Sequence, residues 1–162
     1  MIQTVTIDIP TSWWLTSNQR MHWAEKARRT RVIRNVAGFV ALRSGLHPVE
    51  RATVTVWVGY PSTRRQDPAN ASPAAKAAID GIVATRRLLA DDDAEHLTAV
   101  TFRRDEPTGR KGWYRLRIEF EEVAGNDTGG IRSPRSGQGD AGGSAMLSSD
   151  ELKGFSKEAS QS

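Results

Sequence analysis

Apolar and polar residues alternate with a period of two over Thr4–Pro10, where Val5, Ile7 and Ile9 interleave with Thr4, Thr6 and Asp8. That spacing predicts a half-buried strand ending at the proline. Ala52 to Tyr60 repeats it, with Val54, Val56 and Val58 on one side. Two further strands are predicted: Thr98 to Arg104 with Val100 and Phe102 inward, and Trp113 to Val123 with Tyr114, Leu116, Ile118 and Phe120 inward. Pro107, Thr108 and Gly109 between them suit a hairpin turn.

A period near 3.6 replaces the alternation in two places. From Met21 to Ser44, Ile33, Val36, Ala37, Val40 and Ala41 recur at helical spacing, and Gly45 supplies a stop. A second helix is expected from Ser72 as N-cap with Pro73 in the first helical position; Ala75, Ile79, Ile82 and Leu89 line its buried face. The order β-α-β-α-β-β predicts an α+β domain over residues 1–123, a mainly antiparallel four-stranded sheet with two helices packed against it.

Composition separates the remainder. Residues 124–162 hold eight Gly and eight Ser, nine apolar residues and no Trp, too little apolar surface to offset the entropy of ordering, so a disordered tail is expected there. Met146 to Phe155 is its most apolar stretch. The chain of 162 residues has a net charge of +4, but residues 1–123 carry 19 basic against 14 acidic residues and every tryptophan. With no cysteine, a disulfide scaffold, a zinc ribbon and a thiol nucleophile are excluded. Neither a signal peptide nor a membrane span is indicated, and a cytoplasmic location is the expectation.

Charge is distributed unevenly in the first helix. Ser17 to Gly45 contains Arg20, Lys26, Arg28, Arg29, Arg31, Arg34 and Arg43 against Glu25 alone, with His22 and Trp23 at its start. Lys26 and Arg29 fall on the face projected back from Ile33, so the first turns are not core-forming. Such a surface is either a solvated basic face or a footprint that neutralises phosphates and offers a ring for stacking.

Acidic residues gather after the second and before the third strand. Asp67-Pro68-Ala69-Asn70 is flanked by Arg64 and Arg65, and by itself is ordinary turn chemistry. Lys76 and Asp80 stand one helical turn apart, as in a surface ion pair. Asp91, Asp92, Asp93 and Glu95 crowd four carboxylates into five residues. A cap joining Asp92 and Glu95 explains one of them; adjacent like charges call for a cation, and hard oxygen donors favour magnesium or manganese over zinc. No phosphate loop, dinucleotide fingerprint or nucleophile elbow occurs, so water is the expected nucleophile.

The series Ser17-Asn18-Gln19-Arg20-Met21-His22-Trp23, Asp67-Pro68-x-Asn70, Lys76-Ala77-Ala78-Ile79-Asp80-Gly81 and Asp92-Asp93-Ala94-Glu95 resembles the RusA family of crossover junction endodeoxyribonucleases, Holliday junction resolvases of phage and prophage type, over roughly Thr4 to Glu122. The resemblance implies a homodimer that binds four-way DNA junctions and nicks two strands with Mg2+ or Mn2+. By position it makes Asp67, Asp93 and Lys76 catalytic, Asp67, Asp92 and Asp93 metal ligands, and Asn70, Asp80 and Asp91 auxiliary. Arg20, Arg28, Arg29, Arg31, Arg64 and Arg65 would hold the DNA arms. The family's second motif aspartate is replaced by Ala69, and three extra residues separate Asn70 from Lys76. Ala69 motivates an alternative, a branched-DNA-binding protein without catalysis; a metal-dependent flap or fork nuclease is another.

Overall fold

The computed structural model describes residues 1–91, 93 and 95–124. Asp92 and the tail after Ala124 lie outside them. Four strands, β1 (Ile2–Pro10), β2 (Ala52–Gly59), β3 (Leu97–Arg104) and β4 (Trp113–Glu122), and two helices, α1 (Trp23–Arg43) and α2 (Ser72–Ala84), follow the predicted order. A single 3-10 turn, Pro68–Ala71, precedes α2.

The strands lie in the order β1-β4-β2-β3. β4 is antiparallel to both neighbours, whereas β2 and β3 run parallel. The sheet is therefore mixed, which corrects the mainly antiparallel arrangement expected from the sequence. The reason is visible in the connections. A helix between two strands returns the chain to its starting end, so β2-α2-β3 forms a parallel crossover, and β1-α1-β2 forms another with β4 inserted between its strands. The same order removes the β3–β4 hairpin, since β2 separates those strands.

Alternation sets the core. Val5, Ile7 and Ile9 of β1, Val54, Val56 and Val58 of β2, and Leu116, Ile118 and Phe120 of β4 are all buried and join the helices in one cluster. β3 departs from the pattern: it is an edge strand, and Val100, expected inward, is 41% exposed. Its register partner Val54 is buried, so Val100 faces the helix side, where it borders an open groove beside α2.

α1 begins at an N-cap, His22, whose Nδ1 accepts the Ala24 N–H at 3.3 Å. It ends where the Ser44 hydroxyl bonds the Val40 carbonyl at 2.8 Å and Gly45 takes φ +62°, a value glycine adopts without strain. Its first buried residue is Ile33, so its basic first turns stand clear of the core, as expected. α2 is not capped by Ser72. Its N-cap position is Ala71 without a side-chain bond, and Asp67 instead caps the preceding 3-10 turn by accepting the Ala69 N–H at 2.9 Å. Ala74, Ala75, Ala77, Ala78 and Gly81 bury most of its circumference and let α1 approach closely. Leu89, expected on this helix, lies beyond its end at Ala84 but is buried.

Candidate functional site

Strand β2 delivers the chain to the Asp67 loop through Tyr60, which is 3% exposed. The Tyr60 hydroxyl donates to the Asp67 carbonyl at 3.1 Å, and burial first, then the Asp67 charge, pushes its pKa up to about 12. Ser17 ties the preceding loop to this one: its N–H reaches the Asn70 carbonyl at 2.9 Å and its hydroxyl the Asn70 Oδ1 at 3.1 Å. Arg104 holds the intervening strand exit by donating to the carbonyls of Thr63 and Arg64 at 2.9 and 3.0 Å. Between these loops lies a cavity of about 340 Å3 whose lining includes Trp14, Asn18, Tyr60, Gln66, Asn70 and Tyr114; Arg65 and Asp67 also border it.

The other carboxylates sit at the far end of α2. Lys76 Nζ meets Asp80 Oδ1 at 3.1 Å. Asp80 and Asp91 line a polar cleft of about 300 Å3 with Arg34 and Arg86. Asp93 Oδ1 lies 2.7 Å from His96 Nδ1 and accepts the N–H groups of Glu95 and His96, each at 3.0 Å. The His96 side chain, then these backbone donors, hold Asp93 below the usual carboxylate range, and Asp93 in turn raises His96.

The resemblance implies one site for Asp67 and Asp93, and the single chain does not bring them together. Tyr60 places Asp67 at the carboxyl end of β2, whereas Asp93 accepts the Leu97 N–H and the Ala52 N–H bonds His96, at the amino end of β2. The eight residues of β2 between these ends span roughly 23 Å at the usual strand rise. Among the described residues no three His, Cys, Asp or Glu side chains gather as a metal site. What comes together instead is Lys76 with Asp80, Asp80 with Asp91, and Asp67 with Asn70.

On α1 the arginines divide into two kinds. Glu25 Oε1 and Oε2 bind Arg28 at 2.9 Å each, and Arg29 Nε reaches Glu25 at 2.8 Å. Hydrogen bonds from Arg28 first, then Arg29, hold the Glu25 carboxyl down at about 2. Arg29 also donates to the Trp14 carbonyl at 3.1 Å and is 17% exposed, so it anchors the helix to the preceding loop. Trp23, 75% exposed, begins a different strip with Lys26, Ala27, Thr30, Arg31 and Arg34 around one shallow surface cavity. These positions recur at three- and four-residue spacing and share a face. Arg20, Arg64 and Arg65 are exposed on the adjoining loops.

In the sequence Arg34 is one of several basic residues of the helix. The structure makes it the link between strip and cleft, because it lines both. Its spacing of eleven from Trp23, three helical turns, carried that signal. Arg86, at φ +54° just past α2, gave none.

No protein-family model matches the chain, and no curated protein matches it either.

Proposed function

We propose that this chain is a divalent-metal-dependent endonuclease for branched DNA, with the four-way junction as its preferred substrate, working as a two-fold dimer. The observation that carries this reading is Arg34, where the basic, Trp23-headed strip of α1 runs into the Asp80–Asp91 cleft. Lys26, Arg31 and Arg34 neutralise phosphates along the strip, Trp23 offers a stacking surface, and the cleft puts carboxylates at its end.

The free edge of β3 supports the dimer. The strand is paired on one side by β2, and beside it runs an apolar groove of about 410 Å3 whose lining includes Pro73, Ile79, Leu97, Val100 and Phe102. Asp93 and Glu95 precede β3, and Arg103 and Arg104 end it. Antiparallel pairing of two β3 edges sets acids against arginines twice and covers Val100. The same pairing brings the carboxyl end of one sheet beside the amino end of the other. The Pro68–Ala71 turn packs against β3, so Asp67 of one copy then approaches Asp91 and Asp93 of the other.

Within one copy the donors do not close a metal site; across two copies Asp67, Asp91 and Asp93 form an all-oxygen set suited to magnesium or manganese. A divalent ion held by such a set supplies an activated water and neutralises charge on the phosphate. Lys76, exposed and one turn from Asp80, offers its ammonium to a non-bridging oxygen.

A second reading, a branched-DNA-binding protein without catalysis, rests on Ala69. Labelled junction, flap and duplex DNA, with and without magnesium, separate the two. Paired nicks on the junction alone support the proposal. Tight binding without cleavage supports the second reading, and cleavage of flaps in preference to junctions would assign a fork nuclease.

A further inference from the structure

The cavity between the Ser17 and Asp67 loops is built differently from the rest of the surface. Its floor is aromatic: Trp14 stacks on Tyr114 with ring centroids 4.1 Å apart and planes 5° from parallel, and Tyr60 meets Tyr114 edge-on at 6.1 Å and 78°. Trp14 and Tyr60 are 6% and 3% exposed, so these rings are fixed by the core. The Tyr60 hydroxyl is committed to the Asp67 carbonyl at 3.1 Å. Around the rim stand three carboxamides, Asn18, Gln66 and Asn70, with Arg65 beside them. Ser17 occupies Asn70 Oδ1 at 3.1 Å, which turns the Asn70 amide nitrogen into the donor that a ligand would meet.

We infer that this cavity receives one unpaired nucleobase of the DNA, packed against the partly exposed Tyr114 ring and read along its hydrogen-bonding edge by Asn18, Gln66 and Asn70. The inference rests on the DNA-binding part of the proposed function and adds a source of sequence preference to it. Three features select this ligand. At about 340 Å3 the cavity lies at the small end of ligand sites, the size for a single flat heterocycle. Asn18 and Gln66 each present a donor and an acceptor side by side, the pattern that matches a base edge, and Asn70 adds a donor. Arg65 on the rim suits the phosphate that accompanies the base. A base inside a duplex cannot enter. A nucleotide at a branch point has a stacking neighbour on one side only, so its extrusion costs least there. Because Asp67 shares the cavity wall, the occupied pocket would fix which phosphate lies beside that carboxylate.

The test is junction binding with calcium in place of magnesium, comparing an intact four-way junction with junctions that carry one abasic analogue, either at each branch-point nucleotide or well inside an arm. Wild-type protein should lose at least about tenfold in affinity for one branch-point position, or ~1.4 kcal/mol, and nothing for the arm position. Asn18→Ala with Gln66→Ala, both exposed residues outside the carboxylate groups, should bind intact and abasic junctions alike and keep the wild-type melting temperature. Unchanged affinity at every branch-point position, with intact-junction binding preserved, would overturn the base pocket and leave the DNA-binding reading standing. Equal sensitivity to the abasic site in the double variant would remove the carboxamides from the inference. Absence of junction binding altogether would sink the underlying reading as well.

Discussion

Gly81 of α2 lies so close to Arg34 of α1 that a Cβ on the glycine would stand 2.1 Å from the Arg34 carbonyl oxygen. Gly38 makes the reciprocal approach, its Cβ position 3.0 Å from the Gly81 carbonyl oxygen. The obstacle is backbone in both cases and cannot swing aside. Gly81→Ala is therefore expected to destabilise the domain by ~3 kcal/mol or more, and Gly38→Ala by less, ~1 kcal/mol. Urea denaturation of both variants checks the order. This contact also fixes where Arg34 stands relative to Asp80 and Asp91.

Arg29→Ala should cost about 1–3 kcal/mol of stability, because it leaves the Trp14 carbonyl without its donor. Arg31→Ala should cost almost none. For DNA the two should behave in the opposite sense: Lys26→Ala, Arg31→Ala and Arg34→Ala each lower the slope of log affinity against log salt by about 1, whereas properly folded Arg29→Ala changes it little. Equal salt slopes for all four variants would exclude the α1 strip as the phosphate contact.

Glu25 gives the pH prediction. Arg28 and Arg29 hold it at about 2 in the folded chain. A depressed carboxyl adds stability that is fully present above its ordinary value and lost as pH falls through about 2. Carboxyl titration by NMR should place its midpoint there. In Arg28→Ala with Arg29→Ala it should return to the ordinary glutamate range.

Val100→Glu places a charge on the exposed, helix-facing side of the β3 edge. The domain should fold as before, since Val100 is not in the core cluster. The wild type is expected to run as a dimer in light scattering and the variant as a monomer, with a loss of more than about tenfold in junction affinity through loss of bivalency. A wild-type monomer would exclude the β3 interface.

What the sequence made legible follows from local physics. Strict alternation in Val5–Ile9 and Val54–Val58 identified core strands, because each such residue faces one way and is buried there. Strand order is not local. Nothing in Thr98–Arg104 says that its neighbour is β2 rather than β4, although a helix between β2 and β3 was already an argument for parallel pairing. The turn residues Pro107 to Gly109 suggested a hairpin because they make good turns in any connection. At the candidate site, motif order pointed to Asp67 and Asp93 but carried no distance. Only the direction of β2 shows that they lie at opposite ends of one strand. That the one acid, Glu25, engages both Arg28 and Arg29 is likewise a matter of side-chain geometry that residue counts do not carry.

Asp67 of one copy is expected to act with Asp91 and Asp93 of the other, and subunit mixing checks that partnership. Asp67→Asn and Asp93→Asn are each expected to bind junctions and to be inactive as homodimers. Mixed in equal amounts and allowed to exchange, half of the dimers carry both variants, and each of these has one site with an intact Asp67 and an intact Asp93. Magnesium-dependent single-strand nicking should return to about a quarter of the wild-type level. Continued inactivity of the mixture, with exchange verified by differently tagged copies, would contradict a site shared between two copies.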